Sequence, residues 1–424
     1  MPPRESDSDR TRRYWLVYFS TDENILCRAP DAMGRQFHMS EQENSALPPA
    51  ANIRILEFSG LGPTPFGAML LADLGADILR IERFGAGRPL GGDPQYDFLY
   101  RNRPSVAIDL KSPDGLALVR DLATRADVVI EGYRPGAMER LGLGPDMLCA
   151  ANERLIYARM SGWGQTGPLA SRAGHDINYL ALTGALYPIG PTDAPPVPPI
   201  NLVGNFGGGG TFLAMGVLAA LLERQRSGKG QVLDVAMVDG ISILLTQMAG
   251  WMQMGLWSQG RSDNLLDGSA YFYRCYETAD GRHMAVGALE REFHDAFVAG
   301  LGQDPLRFTD YLDPAVWPDR SRQIEPIFRA RSLGEWCEVF DQLDACVSPV
   351  LTYREAAAHP AHRARGVHAH CGPSLQPAPA PRFARSPSRA PDPLVSKPDI
   401  SKSLMDWAVT ENEILLLRKN AVLR

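Results

Sequence analysis

The sequence predicts an α/β protein in which a large Rossmann-like domain with a parallel sheet is followed by a smaller α+β domain. From Ile53 onward, short β-rich runs alternate with segments of helix length. The β-loop-α-β opening, with the apolar runs Val128–Ile130 and Leu155–Ala158 as buried-strand candidates, implies a parallel sheet with helices on both faces. Past about residue 236 the rhythm gives way to a hairpin signal and scattered helices. A chain of 424 residues is long enough for two domains with separate cores. The expected division is a poorly ordered extension at 1–50, a large domain at 51–235 to which 375–424 returns, and a small domain at 236–374.

Each element has a local reason. Residues 1–50 are polar, mix Arg10, Arg12 and Arg13 with Asp7 and Asp9, and show no sustained period; Met39 is a candidate translation start. Ile53–Phe58 reads as a strand closed by Ser59-Gly60 and the breakers Pro63 and Pro65. Phe66–Leu74 reads as a helix with Gly75 as its cap, and Ala76–Ile81 as the next strand. Val128–Ile130 and Leu155–Ala158 read as further buried strands. The glycines Gly207–Gly210 open a helix over Thr211–Gln225, with a glycine exit, and a second helix is expected over Met237–Met254. Tyr271–Glu277 and Arg282–Ala288 flank the turn Thr278-Ala279-Asp280-Gly281. The proline-dense stretch 372–398 reads as an extended surface connection, and Leu404–Leu417 has helical spacing.

Composition narrows the classes. The net charge of −6 argues against general nucleic-acid binding. Arg80, Arg83, Arg88, Arg101, Arg103, Lys111, Arg134 and Arg140 nevertheless gather in one third of the chain, either as solvated surface or as anion contacts. The cysteines Cys27, Cys149, Cys275, Cys337, Cys346 and Cys371 form no CxxC pair and read as free thiols of a reducing compartment. No apolar run is expected to be long enough to cross a bilayer, and no secretory h-region or SKL-type C-terminus is seen, so a cytoplasmic location and no membrane partner are expected. Gly60-Leu61-Gly62-Pro63-Thr64-Pro65 does not match GxGxxG, so NAD or flavin is not expected. His359, His362, His368 and His370 lack regular ligand spacing, and no metal is expected.

Chemistry concentrates at Gly174-His175-Asp176-Ile177-Asn178-Tyr179 and at Asn201-Leu202-Val203-Gly204-Asn205-Phe206 with its four following glycines. Histidine titrates near neutral pH, so His175 is a candidate general base, with a satisfied structural histidine as the alternative. Gly207–Gly210 at a helix start can offer unpaired N–H groups to a phosphate or an enolate oxygen, or serve only close packing.

With these residues in hand, the chain resembles the class III (family III, CaiB/BaiF) CoA-transferase superfamily, and within it the α-methylacyl-CoA racemase branch. The resemblance rests on LADLGADILRIE (71–82), IEGYRPGAMERLGLGP (130–145), RLIYARMSGWGQTGP (154–168), AGHDINY (173–179), NLVGNFGGG (201–209), GKGQVLDVAMVDG (228–240) and VGALEREF (286–293), and covers roughly 53 to 424. It implies an interlocked homodimer acting on an acyl-CoA, with no cofactor beyond the substrate's CoA moiety. It implies 1,1-proton transfer at C2 of a 2-methylacyl-CoA through an enolate, with His175 as base and Glu290 as the carboxylate that orients it. Asn205 falls where the racemase branch has the aspartate serving the other face, and an amide has no proton affinity useful at neutral pH. Asp176 falls on the nucleophile of members that transfer CoA, which keeps two alternatives open: a CoA-transferase, and an acyl-CoA-binding homologue with little turnover. The same resemblance implies CoA contacts from Arg83, from Ile108, Asp109, Leu110 and Lys111, from Gly132, Tyr133 and Arg134, from Arg140, and from Gly174, Ile177, Asn178 and Tyr179. Met248, Met252 and Met254 are read as ordinary helix packing, with an acyl pocket as the alternative.

Overall fold

Strand β1 (Arg54–Phe58) lies inside a six-stranded parallel sheet, bonded to β2 (Asp77–Arg83) on one side and β4 (Val128–Glu131) on the other. The computed structural model describes residues 46–84, 93–372, 374–392 and 399–423. The expected extension 1–50 therefore lies outside the described residues up to residue 45, and Arg88 lies outside them too.

The described chain divides into two units. The larger takes residues up to Ala185, then Pro198–Leu244, then those from Ala357 onward; the smaller takes Leu186–Val197 and Leu245–Ala356. This differs from the expected division in three places: 186–197 belong to the smaller unit, whereas 236–244 and 357–374 belong to the larger.

With β3 (Ser105–Ile108), β5 (Ile156–Ser161) and β6 (Val232–Ala236), the strand order of the larger unit is β3-β2-β1-β4-β5-β6. Ile55, Leu56, Phe58, Val128, Val129 and Ile130 are completely buried, as apolar runs of a doubly covered sheet must be. The order reverses between β1 and β4, and ligands of such sheets bind beyond the carboxyl ends of the strands at that point. Helix α1 (Pro63–Asp73) begins three residues before the expected Phe66. Pro63 and Pro65 sit in its first turn, where N–H groups have no intrahelical partner, so prolines read as breakers are instead starters.

Two expectations near the glycine run are corrected. Leu202–Gly210 is a π-helix that passes directly into α2 (Thr211–Ser227), and Gly208, Gly209 and Gly210 are buried within this continuous segment rather than at an open helix start. Their role is close packing: a Cβ on Gly240 would collide with the Gly208 carbonyl oxygen, and one on Gly208 would stand 2.9 Å from the Ile241 nitrogen. They do not form the free N–H anion cradle that the sequence suggested. Because the two helical stretches join, Leu202–Ser227 is also long and apolar enough by length and composition to cross a bilayer, contrary to expectation. Leu213, Ala214, Val217, Ala220 and Leu221 of this helix belong to the buried core.

The expected helix Met237–Met254 is two helices, α3 (Met237–Leu244) and α4 (Thr246–Met254), because Leu245 leaves helical geometry at ψ 3°. In α4 only Trp251 is buried; Met248 and Met252 are half-buried and Met254 is 59% exposed.

In the smaller unit, β7 (Tyr273–Glu277), β8 (His283–Gly287) and β9 (Val347–Pro349) form an antiparallel sheet. The predicted turn is present: the Thr278 N–H donates to Arg282 O, and Gly281 takes the left-handed φ of 70°. Helices α5 (Arg291–Gly300), α6 (Trp317–Phe328) and α7 (Leu333–Phe340) share a core with this sheet, in which Tyr276 stacks on Phe328 at 4.7 Å.

The stretch expected to be wholly extended opens instead with a hairpin, β10 (His368–Cys371) paired antiparallel with β11 (Ser374–Pro377). The C-terminal helical expectation resolves into Ile400–Asp406 and Glu411–Lys419, whose Leu404 and Ile414 join the larger unit's core. The cysteines among the described residues, Cys149, Cys275, Cys337, Cys346 and Cys371, are free.

Candidate active site

A cavity of about 650 Å³ opens over the switch point of the larger unit. Its walls are the segments that leave the carboxyl ends of the central strands: Ser59–Thr64 after β1, Gly132–Pro135 after β4 and Ser161–Trp163 after β5. Arg80 and Glu82 of β2, Tyr100, Met160 of β5, Met237 of α3, and Ala170, Arg172, Ala173, Gly174, His175, Tyr179 and Asn205 complete it.

His175 is the N-cap of the helix Asp176–Thr183 and is exposed on the cavity wall. Its backbone N–H donates to Asn178 Oδ1 at 3.0 Å, and its carbonyl accepts the Asn178 N–H at 2.8 Å, which fixes the residue while leaving its imidazole to the cavity. Asn205 projects from the π-helix into the same cavity, its amide against the backbone of Gly62, where an added Cβ would stand 3.0 Å from Nδ2. Asp176 is different. It is 8% exposed, does not line the cavity, and accepts the Asn205 backbone N–H on Oδ2 at 2.6 Å. Burial pushes its carboxyl above the usual range, and the N–H groups of Asn205 and Gly204 pull it partly back.

Of the residues expected to hold CoA, Gly132, Tyr133, Arg134, Gly174 and Tyr179 line the cavity. The turn at 132–134 is fastened from below. Glu131, 1% exposed, accepts the Tyr133 N–H at 2.7 Å and the Arg159 Nε at 3.0 Å, and Arg159 also reaches Glu139 at 2.8 Å. Arg134 is exposed on the cavity. Tyr179 is buried, its hydroxyl donating to Gly174 O at 2.6 Å and its ring edge-on to Trp163 at 4.7 Å, so it shapes the loop. Asn178 is engaged in the cap, and Ile177 is exposed away from the cavity lining.

Ile108, Asp109, Leu110, Lys111 and Arg140 lie outside the cavity. Ile108 is 0% exposed in the core, its neighbour Leu110 packs on that core, and the Asp109 N–H donates to Val422 O. Lys111 is exposed, as is Arg140, whose Nη1 lies beside Gly136 at the end of the 132–136 turn. The side chain of Arg83 lies outside the described residues. Glu290 is the half-buried N-cap of α5 in the smaller unit.

The basic cluster holds a further correction. Arg101 and Arg103 are neither solvated surface nor free anion contacts, whereas Arg80 is buried yet lines the cavity. Arg101 binds both Asp73 oxygens, at 3.0 and 2.5 Å, and caps Pro377 O at 2.7 Å. Arg103 Nε lies 3.3 Å from Glu57 Oε2, and its Nη1 and Nη2 hold Pro65 O and Leu99 O. Arg80 lies flat on Tyr100 at 3.9 Å and pairs with Glu82 at 2.5 Å. Burial pushes Glu57 above its usual range, with Arg103 and Arg80 opposing.

Sequence reading missed Ser59–Thr64, Arg80, Glu82, Tyr100, Trp163 and Arg172 as parts of this site. Ser59–Thr64 and Trp163 follow the carboxyl ends of strands that the sequence did reveal, so the switch-point rule itself was the available signal. Tyr100, at the end of the short 3-10 helix Phe98–Tyr100, carried none, whereas Arg172 stands only three residues before His175.

A doubly wound sheet with a cavity at its switch point, lined by an exposed histidine and an arginine, is the layout of the ligand-binding α/β folds. The chain belongs to CoA-transferase family III, whose family model matches residues 51–399. It is 42% identical over 374 residues to the α-methylacyl-CoA racemase of Mus musculus, covering 87% of this chain and 96% of that one. The corresponding racemase of Homo sapiens is 40% identical over 377 residues, covering 88% and 96%. The succinyl-CoA–D-citramalate CoA-transferase of Chloroflexus aurantiacus is 32% identical, covering 76% and 84%. Among solved structures, Rv3272 from M. tuberculosis superposes with a TM-score of 0.67 at 25% identity, covering 82% of this chain and 97% of that one. These likenesses support a racemase-type role within a family that also contains CoA-transferases.

Proposed function

We propose that the protein epimerises the C2 centre of 2-methylacyl-CoA thioesters. The observation that carries this reading is the placement of His175 and Asn205 on the wall of one switch-point cavity with Arg134. A proton next to a thioester carbonyl is acidic enough for removal by a nearby neutral imidazole, provided that donors meet the charge developing on the carbonyl oxygen. His175 takes that proton from one face of the substrate, and returning a proton to the same face gives exchange. A water donating to the opposite face of the enolate, with the His175 imidazolium neutralising the hydroxide left behind, gives the other epimer. Asn205, with an NH2 group and no titratable proton, donates a hydrogen bond but does not serve the second face as a carboxylate would. Epimerisation is therefore slow relative to exchange on the His175 face. Arg134 binds phosphate of the CoA, with Arg140 beyond the turn toward the nucleotide end, since guanidinium groups make charge-assisted bonds to phosphate. A second copy of the chain completes the enzyme and contributes Glu290 to orient His175. The chemistry calls on no group beyond the substrate's own CoA.

The alternative, a CoA-transferase with Asp176 as nucleophile, has relatives in its favour, but Asp176 does not line the cavity. The test is α-proton exchange in D2O with each epimer of a 2-methylacyl-CoA, read by mass and chiral analysis. Deuterium entering one epimer much faster than stereochemistry is lost supports the proposal. CoA binding with no exchange from either epimer would leave an acyl-CoA-binding homologue and overturn it.

A further inference from the structure

We propose that Asp176 is a positioning residue that clamps the helix carrying His175 to the π-helix carrying Asn205, and that it is not a covalent nucleophile. The inference rests on reading the cavity as a proton-transfer site. Asp176 and Asn205 are 29 residues apart, yet Asp176 Oδ2 accepts the Asn205 backbone N–H at 2.6 Å. The Gly204 N–H points to the same carboxylate. The fit leaves no spare room, because a Cβ on Gly204 would collide with Asp176 Oδ2. Each side of this joint is covalently next to, or is itself, a residue of the cavity wall: His175 precedes Asp176, and Asn205 supplies the bonded N–H. The carboxylate thus fixes the separation of the two groups that must flank a substrate carbon. A nucleophile needs an oxygen free to reach a thioester carbonyl. Here Oδ2 is engaged, and Oδ1 is buried without a hydrogen-bond partner.

The test compares Asp176→Asn with Asp176→Ala in the full-length protein. An asparagine keeps an oxygen that can accept the same backbone N–H groups, whereas alanine keeps none. Two readouts are taken: deuterium exchange into a 2-methylacyl-CoA, and backbone amide exchange of peptides spanning 201–210. The expected result is that Asp176→Ala lowers kcat for exchange about 10²-fold with KM changed less than about threefold, since a small misplacement of reacting groups costs on that order. Its 201–210 amides lose protection. Asp176→Asn restores both to within about tenfold of the parent, a carbonyl acceptor being enough to hold the joint. Three results would overturn the clamp: an Asn variant as inactive as Ala with its amides still protected, an Ala variant as active and protected as the parent, or a CoA adduct trapped on Asp176. A parent protein without exchange on 2-methylacyl-CoA retires the functional proposal instead, and the amide comparison still decides the clamp.

Discussion

Tyr271 Oη and His294 Nε2 lie 2.6 Å apart inside the smaller unit, with His294 completely buried and stacked on Tyr311 at 4.2 Å. Burial pushes the imidazole down to about 4, with Asp295 opposing. The ring is held neutral and shares one hydrogen bond with the tyrosine hydroxyl. In the unfolded chain histidine titrates at its ordinary value of 6.5, so between 6.5 and about 4 the unfolded state binds more protons than the folded one. Stability attributable to this site is therefore full above 6.5 and falls as pH drops toward about 4, by about 3 kcal/mol in total. Denaturant titrations across that window should show a steeper loss in the parent than in His294→Phe, which carries no proton to gain. Equal slopes would refute the assignment.

Glu57 and Arg103 form a second buried relationship, in the larger unit. Arg103→Ala leaves Glu57 buried without its cation and also frees the Pro65 and Leu99 carbonyls. A loss of about 3–5 kcal/mol is expected, the cost of removing one partner from a buried pair. Arg103→Lys should recover only part of it, because an ammonium cannot span three acceptors in the guanidinium's fixed fork. Urea midpoints for the two variants check this.

Asn205→Asp introduces a titratable group into the cavity that His175 also lines. Racemisation, measured as loss of optical purity of a 2-methylacyl-CoA, should rise by about 10² or more, the usual worth of a positioned acid/base. No gain would mean that Asn205 is not the group serving the second face.

Arg134→Ala removes the exposed guanidinium of the cavity turn. CoA affinity measured by calorimetry should fall about 10- to 100-fold, as expected for one hydrogen bond to a charged group. Glu131→Gln, which only loosens the support of that turn, should have a smaller effect in the same direction.

The order of β1, α1 and β2, the buried strands β4 and β5, and the 278–281 turn were all legible, because each depends on contacts within a few residues or on a one-dimensional apolar pattern. His175 stood out because histidine titrates near neutral pH, and Asn205 because the family resemblance implies an aspartate at its place. The misreadings share a cause. Pro63 and Pro65 read as breakers because a proline's place in a helix depends on whether its N–H would have been used, which the flanking residues do not reveal. Gly207–Gly210 read as an open helix start because only the packed neighbour at Gly240 shows why the side chains are missing.

By itself, then, the sequence determined the β1-α1-β2 opening, the strands β4 and β5 and the 278–281 hairpin, which family the chain resembles, and which side chains have the proton chemistry. Only the tertiary structure decided that Asp176 ties Asn205 from behind the cavity, that Arg101 and Arg103 are interior ion-pair partners, and that Arg80 and Tyr100 form part of the cavity wall. These facts concern what lies opposite a charged group 28 to 46 residues away. Whether a charge is solvated, paired or aimed at a ligand is set by those distant neighbours and by the low dielectric they create.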